Sequence, residues 1–423
     1  MHPLFLTPEE IKKFSHVERK NYSNRLKLIK SVIENQGRTM ADLCIDLQIS
    51  KPTVNGLVQN LIEKGLLVQE ERKHSAGGRK PMLHQLKSGT MHVLCIEIER
   101  FKIVMSVVDN HQQVLNKQIE EFSLTRNREA AEHLILKVKC FIASLAPNTY
   151  TLVAVGISMP GLINSREGTN QTYLNDELRD GITINQLLSN ALDLPSFVFN
   201  DIKTATIAEL KFGLAKDKKD VLVIMMDWGI GMGIVLDGEL RAGKKGYSGE
   251  VGHIPFVDEG ALCYCGKKGC LETVASGIAL ARMVKEGIQS GQDSLLKKMA
   301  HTEINRIEPQ LVINAAKQGD QYAINCLAYI GEKLGKGIAT LLQLFNPELI
   351  ILAGKMALAK EYITIPMQQA INTFSMQPIR DEVQVQLTQL GTHAGAIGIT
   401  SQSLERIITE HLKEIEKKAT PPI

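Results

Sequence analysis

The chain has 423 residues, of which 44% are hydrophobic and 22% charged, and its formal net charge is +3. That length exceeds one small core, so two or three domains are expected from an ordinary globular composition. No run of apolar residues is long enough for a membrane span. The start, Met1-His2-Pro3 followed by Glu9, Glu10, Lys12 and Lys13, lacks the apolar core of a signal peptide, so a cytoplasmic protein is expected.

Charge is spread unevenly. Residues 1–90 hold 15 Lys and Arg against 9 Asp and Glu, a net of +6, and the remainder holds 34 against 37, a net of −3. A basic head on a mildly acidic body points the head at a polyanion. In that head, apolar residues recur at helical spacing in three sets: Leu26, Ile29 and Ile33; Met40, Leu43, Cys44 and Leu47; and Val54, Leu57, Val58, Leu61 and Ile62. Gln36-Gly37 and Ile49-Ser50 break them, with Thr39 and Ser50 placed as caps and Pro52 in a first turn. Three helices with a tight connection between the second and third predict a helix-turn-helix. The third helix turns Lys51, Thr53, Asn55, Gln59 and Asn60 outward, a small, hydrogen-bonding set suited to base edges in a major groove. Gly65 ends it. Strands are predicted at Leu66–Val68 and Met82–Leu86, and the polar stretch between them carries Gly77-Gly78-Arg79-Lys80-Pro81. Arg79 and Lys80 there suit flanking phosphates or a minor groove, so double-stranded DNA is the expected partner. Ser88-Gly89-Thr90 is expected as the hinge to the body.

In the body, Val93–Ile98, Ile103–Asp109 and Val114–Phe122 read as an antiparallel meander. A helix at about 127–145 follows, then a strand over Leu152–Ser158. Another helix precedes a strand at Phe197–Phe199, and a further one covers Ile202–Phe212. Val221–Met226 and Gly233–Leu236 open a second set of strands, helices dominate from about 272 to 345, and Leu349–Leu352 is one more buried strand. The pattern predicts an α/β body of two lobes, without an internal repeat. An amphipathic helix is predicted over Leu404–Lys418.

Of seven cysteines, Cys44, Cys95, Cys140 and Cys326 lie in apolar contexts and read as buried, reduced core residues. The other three stand with a histidine as His253-x9-Cys263-x-Cys265-x4-Cys270, in a loop containing Gly260, Gly266 and Gly269. Three thiolates and an imidazole match a closed structural zinc site, and the glycines let one ion reach all four. Four ligands leave no open position for catalytic water.

Gly249-Glu250-Val251-Gly252-His253 followed by Cys263-Tyr-Cys-Gly-Lys-Lys-Gly-Cys-Leu-Glu272 resembles the signature of the ROK family of sugar kinases and sugar-responsive repressors. The resemblance runs from about residue 91 to about 401. It takes in Gly156-Ile-Ser-Met-Pro-Gly161, Phe199-Asn-Asp201, the glycine loop Gly229–Gly233 and Asn346-Pro-Glu-Leu-Ile-Ile-Leu-Ala-Gly354. With the winged helix in front, the whole chain is similar to the repressor branch. The resemblance implies an actin-like, hexokinase-type body of the ribonuclease H-like class. Its first lobe spans 91–200 and is completed by about 390–423, its second spans 201–389 with the zinc loop at 253–270, and the winged helix occupies 1–88. It implies Asn200, Asp201, Glu250, His253 and Glu272 as sugar contacts, with His253 serving both zinc and a sugar hydroxyl. Carboxylates and an amide suit that task through paired hydrogen bonds.

The resemblance also makes Asp201 the base of a sugar kinase, so an ATP-dependent kinase with a regulatory head is the alternative. Against it, the family's first phosphate loop, Asp-x-Gly-Gly-Thr, is matched here by Glu97-Ile98-Glu99-Arg100-Phe101. The second becomes Asp227-Trp228-Gly229, and the Gly-Gly near the adenosine pocket becomes Gly354-Lys355. Loss of the phosphate cradle with retention of the sugar set implies a sensor rather than an enzyme. The expected partners are an operator, a sugar or sugar phosphate, and a second copy of the chain, a tetramer being compatible. The resemblance implies a repressor of carbohydrate uptake and catabolism genes, released or retuned by the bound sugar.

Overall fold

The N-terminal helices start where local hydrogen-bonding chemistry allows a helix to start. In the computed structural model, which describes residues 4–71, 82–124, 128–173, 182–299 and 307–417, α1 (Pro8–Lys12), α2 (His16–Glu34) and α3 (Met40–Leu47) each open on a reciprocal capping box. The pairs are Thr7 with Glu10, Ser15 with Glu18, and Thr39 with Asp42, and each satisfies two amides that would otherwise face water. Thr39 caps as expected. Ser50 holds the N-cap position of α4 (Lys51–Glu63) but caps no amide; its hydroxyl lies 2.9 Å from that of Thr53. Gly65, at φ +68°, ends α4.

The head also contains what periodicity did not disclose. The short α1 precedes the three expected helices, and the strand pair β2 (Leu67–Glu71) and β3 (Met82–Leu86) gains a third member, β1 (Arg38–Thr39), on the far edge of β3. Two residues carry no periodicity, so a strand this short has no sequence signal. Arg79 and Lys80 lie outside the described residues.

The chain forms two units, residues 1–201 with 395–423 and residues 202–394. In the first, β4 (His92–Ile98), β5 (Lys102–Asp109) and β6 (Val114–Glu121) make the expected meander. After α5 (Arg128–Ser144), β7 (Leu152–Met159) joins parallel to β4. Beyond the small pair β8 (Ile163–Asn164) and β9 (Thr169–Asn170) and helix α6 (Ile184–Leu192), β10 (Ser196–Asn200) joins parallel to β7. The sheet order is β10-β7-β4-β5-β6.

Helix α7 (Asp201–Phe212) leads into the second unit. There β11 (Val221–Met226), β12 (Ile230–Leu236) and β13 (Glu239–Leu240) form another antiparallel meander. Helices α8 (Glu272–Ala275), α9 (Gly277–Gln289), α10 (Pro309–Lys317) and α11 (Gln321–Phe345) follow. Strand β14 (Leu349–Ala353) pairs parallel to β11, and after α12 (Glu361–Phe374) and α13 (Gln377–Arg380), β15 (Gln384–Leu387) pairs parallel to β14. The order β13-β12-β11-β14-β15 repeats the layout of the first sheet. The repeat resides in connectivity, which explains why no repeat is visible in the residues.

The last helix, α14 (Ala394–Lys417), begins ten residues before the predicted Leu404. Its first turns, Ala394-Gly395-Ala396-Ile397-Gly398, fall outside the predicted helix, and their glycines each weaken a helix by ~1 kcal/mol relative to alanine. Packing overrides that penalty: a Cβ on Gly395 would fall 1.8 Å from the Glu97 carboxylate, and one on Gly156 of β7 would fall 2.2 Å from Ile399. Small residues are what lets this helix lie against the sheet.

In the first unit, Leu4, Phe5, Tyr22, Leu26 and Val58 of the head share one continuous core with Val93 of β4 and Leu404, Ile407, Ile408 and Ile415 of α14. Ser88-Gly89-Thr90 is accordingly no free hinge. The Ser88 hydroxyl donates to Asp109 at 2.6 Å, the Thr90 amide to the Asn110 side chain at 3.1 Å, and the Asn110 amide group to the Lys87 carbonyl at 3.0 Å. Of the four scattered cysteines, Cys95 and Cys326 are buried and Cys44 is half-buried, but Cys140 is exposed. The buried stripe of α5 runs through Leu134, Val138 and Phe141, and Cys140 falls on the opposite side of the helix.

Candidate functional site

The four residues singled out by spacing come together. The side-chain ligand atoms of His253, Cys263, Cys265 and Cys270 all lie within 4.8 Å of one another. The loop closes because Cys263 and Lys267 bracket a tight turn, with the Cys263 amide donating to the Lys267 carbonyl at 2.8 Å and the Gly266 amide to the Cys263 carbonyl at 2.9 Å. Gly269, at φ +69°, passes so close to Val257 that a Cβ would sit 1.8 Å from the Val257 carbonyl oxygen.

The geometry suits a four-coordinate ion. Bonds of ~2.3 Å to sulfur and ~2.0–2.1 Å to nitrogen at tetrahedral angles separate two sulfurs by about 3.8 Å and sulfur from nitrogen by about 3.6 Å. Cys265 Sγ and Cys270 Sγ are 3.6 Å apart, and Cys263 Sγ is 3.5 Å from His253 Nδ1. Burial lowers the pKa of His253, aided by the charge of Lys267, which keeps the imidazole in its neutral, ligating form. Burial pushes the Cys270 thiol up to about 12 and raises Cys263, so a metal must displace their protons at neutral pH. At Cys265 the same burial is outweighed by the Lys267 amide and the neighbouring thiols, and the thiol moves down.

The five residues tied to sugar by resemblance occupy structured positions. In the first unit, Asn200 ends β10 at 3% exposure and donates to the Gly161 carbonyl at 3.1 Å. Asp201 opens α7, where the positive end of the helix favours a carboxylate. In the second unit, Glu250 begins the 3₁₀ turn Val251–His253. Gly249 before it has φ +84° and leaves room for the Met232 carbonyl, which a Cβ would approach to 1.8 Å. Lys203, 8% exposed, donates to the Ser248 carbonyl at 3.2 Å and braces this loop. Glu272, 5% exposed, opens α8 and accepts from the Ile230 amide at 3.1 Å.

Lys203 and Tyr264 are the residues near these positions that sequence reasoning missed. Tyr264 sits between two ligand cysteines, and its hydroxyl lies 2.9 Å from His253 Nε2, the ring nitrogen turned away from Cys263. Neither residue has a periodic signal, and a tyrosine inside a ligand loop was the one available cue.

The stretch Asp227-Trp228-Gly229 is closed on itself. The Trp228 amide donates to its neighbour's carboxylate, Asp227 Oδ1, at 2.9 Å, and the Ile230 amide is the one held by Glu272. The first amides of α9, Gly277 and Ile278, donate to the carbonyls of Asp227 and Trp228 at 2.9 and 3.0 Å. These are the donors that a phosphate at a glycine loop and helix N-terminus would require.

At the head, Lys51, Thr53, Asn55 and Gln59 are all exposed on α4, while Val54, Val58 and Leu61 are buried. The polar face that sequence assigned to DNA is therefore turned to solvent.

A family model described as the ROK family matches residues 93–405. The N-acetylglucosamine repressor of Shigella flexneri is 28% identical over 373 residues, covering 87% of this chain and 89% of that protein. The xylose repressor of Caldicellulosiruptor bescii is 25% identical over 390 residues, covering 91% and 96%. Among solved structures, a ROK family transcriptional regulator described as a homolog of the Escherichia coli MLC protein superposes with a TM-score of 0.73 at 26% identity, covering 95% of this chain and all of that one. A ROK family glucokinase from Streptomyces griseus, in complex with glucose and AMPPNP, gives 0.65 at 28% identity, with 74% and 99% covered.

Proposed function

The chain belongs to the ROK family, and we propose on that premise that it is a sugar-responsive transcriptional regulator, a repressor of carbohydrate genes. The carrying observation is the head in front of the family body, helices α2–α4 with the sheet β1-β3-β2, where α4 presents Lys51, Thr53, Asn55 and Gln59 to solvent. Residues 1–88 bind operator DNA through that face and through Arg79 and Lys80. Asn200, Asp201, Glu250, His253 and Glu272 contact a sugar. His253, Cys263, Cys265 and Cys270 hold one zinc ion, whose role is to fix the loop that carries His253; tetrahedral thiolate–imidazole ligation favours zinc and leaves no site for catalysis.

Phosphoryl transfer is not part of this function. The amide of Trp228 already serves the carboxylate of Asp227, and a phosphate entering there would meet a negative charge in place of a cradle. The kinase alternative rests on Asp201 and on the likeness to the Streptomyces griseus glucokinase. ATP-dependent phosphorylation of any sugar by the purified chain would restore it.

DNA and sugar are coupled. Each shifts the other's affinity by the same factor, ~5–150-fold for couplings of ~1–3 kcal/mol. The test titrates DNA from the chain's own upstream region with the protein, alone and with sugars that raise its melting temperature. A moved isotherm is expected. A sugar that binds tightly and leaves the DNA isotherm in place overturns the sensor reading.

A further inference from the structure

Tyr264 lies on the ligand loop but holds no ligand position. Its backbone is fixed between Cys263 and Cys265, whereas its side chain is 62% exposed. The phenol turns back onto His253. The two rings meet edge-on, centroids 4.9 Å apart at 89°, and the hydroxyl is 2.9 Å from Nε2. Nδ1 is on the other side of the imidazole, 3.5 Å from Cys263 Sγ and facing the cysteine cluster. A histidine that gives Nδ1 to a metal carries its proton on Nε2 and donates it outward. With a metal on Nδ1, the tyrosine oxygen, 2.9 Å from Nε2, is the atom placed to accept that proton.

That same N–H is the group through which His253 would meet a sugar hydroxyl. One proton cannot be given in good geometry to two oxygens. We propose that Tyr264 is a built-in competitor for the sugar at His253: its phenol oxygen stands in for a sugar hydroxyl when the site is empty, and leaves when the sugar arrives. This deepens the function proposed above and rests on its placement of the sugar at His253. Exposure makes the exchange feasible, since nothing buried has to move and only the side-chain torsions of Tyr264 turn. The hydrogen bond lost is replaced by an equivalent one to the sugar, so the tyrosine raises the concentration at which the sensor responds without removing a sugar contact. The zinc loop thus sets a response threshold as well as a scaffold.

The test compares the full-length, metal-loaded chain with its Tyr264→Phe and Tyr264→Ala variants. Each is titrated calorimetrically with N-acetylglucosamine, xylose, glucose and glucose 6-phosphate, and metal retention is measured against a competing chelator. Loss of one hydrogen bond to an exposed phenol should tighten the binding of whichever sugar the wild type takes by roughly 2- to 10-fold, with metal retention unchanged. A positioning role alone predicts the opposite, weaker sugar binding with metal affinity reduced ~10–100-fold, as when an outer-shell partner of a metal-bound histidine is removed. That outcome, or unchanged sugar affinity in both variants, overturns the proposal while leaving the sugar-sensor function standing. Binding seen only in the variants supports both. If neither wild type nor variants bind any of the four sugars, the sugar assignment of His253 fails, and the role of Tyr264 fails with it.

Discussion

Asp320 shows how much one carboxylate can organise. It is the N-cap of α11, accepting from the Ala323 amide at 3.0 Å, and its other oxygen takes the Ser294 hydroxyl at 2.5 Å and the Leu295 amide at 2.6 Å. Burial by itself would raise its pKa, but these donors outweigh burial and hold it below the ordinary aspartate value. A depressed folded pKa means stability that is present above the unfolded value of ~3.9 and lost as pH falls through the folded one. Asp320→Ala should cost roughly 2 kcal/mol at pH 7, combining a lost cap with unsatisfied donors. Urea melts of wild type and variant should differ at pH 7, begin to converge below about pH 4, where the unfolded carboxyl titrates, and close further as pH falls through the lower folded value. A gap that stays constant to pH 3 would contradict this account. At the same scale, Asp201→Asn should weaken the sugar response, because an amide cannot accept as a carboxylate does. For a hydrogen bond to a charged group the effect is roughly 10- to 150-fold in sugar affinity. DNA affinity measured without sugar should not change.

Among the elements, the loop of His253 and the three cysteines and helix α4 depend on different physics. The loop is shaped by a few backbone hydrogen bonds and, on the proposed ligation, should depend on the metal for its stability. Cys265→Ser should therefore lose the metal and lower the melting temperature of the chain, with zinc per chain read by elemental analysis. Chelator-washed protein without zinc and with an unchanged melt would refute the assignment. The head helix is held by Val54, Val58 and Leu61, which are fully buried, so its outer face can be changed without unfolding it. Asn55→Ala should blur sequence preference with little loss of nonspecific affinity. Arg79→Ala with Lys80→Ala should weaken binding to all sequences and make the salt slope shallower by roughly 2. A salt-independent footprint would count against phosphate contacts by these two residues.

On the scale of the whole molecule, the head is not tethered loosely to its unit. Tyr22 accepts from the Leu6 amide at 3.1 Å and donates to the Leu4 carbonyl at 3.0 Å, fastening the N-terminal segment onto α2. Phe5 in turn lies against His411 of α14, ring centroids 5.0 Å apart. The same helix has its Gly395 against Glu97. A single continuous core therefore runs from the head through α14 to β4, and no soft joint interrupts it at residues 88–90.

Much of this was legible in the residues themselves. Helical spacing from Leu26 to Ile62, capping at Thr39, the outward set on α4 and the strand Val221–Met226 are local properties, set by side-chain periodicity and backbone chemistry over a few residues. The quartet of His253, Cys263, Cys265 and Cys270 was legible for the same reason, since three thiols and an imidazole at this close spacing match the ligand set of a four-coordinate metal site. What required the tertiary structure was every outcome settled by residues distant in the chain. Gly395 belongs to a helix because a sheet lies against it, and Cys140 is exposed because α5 turns its other face inward. The Trp228 and Ile230 amides are closed off by carboxylates whose directions no motif encodes. Tyr264 reads as filler between two cysteines until folding brings its hydroxyl to the outer nitrogen of His253. Sequence patterns report which groups are present and how they repeat, but which donor meets which acceptor depends on where packing leaves each side chain.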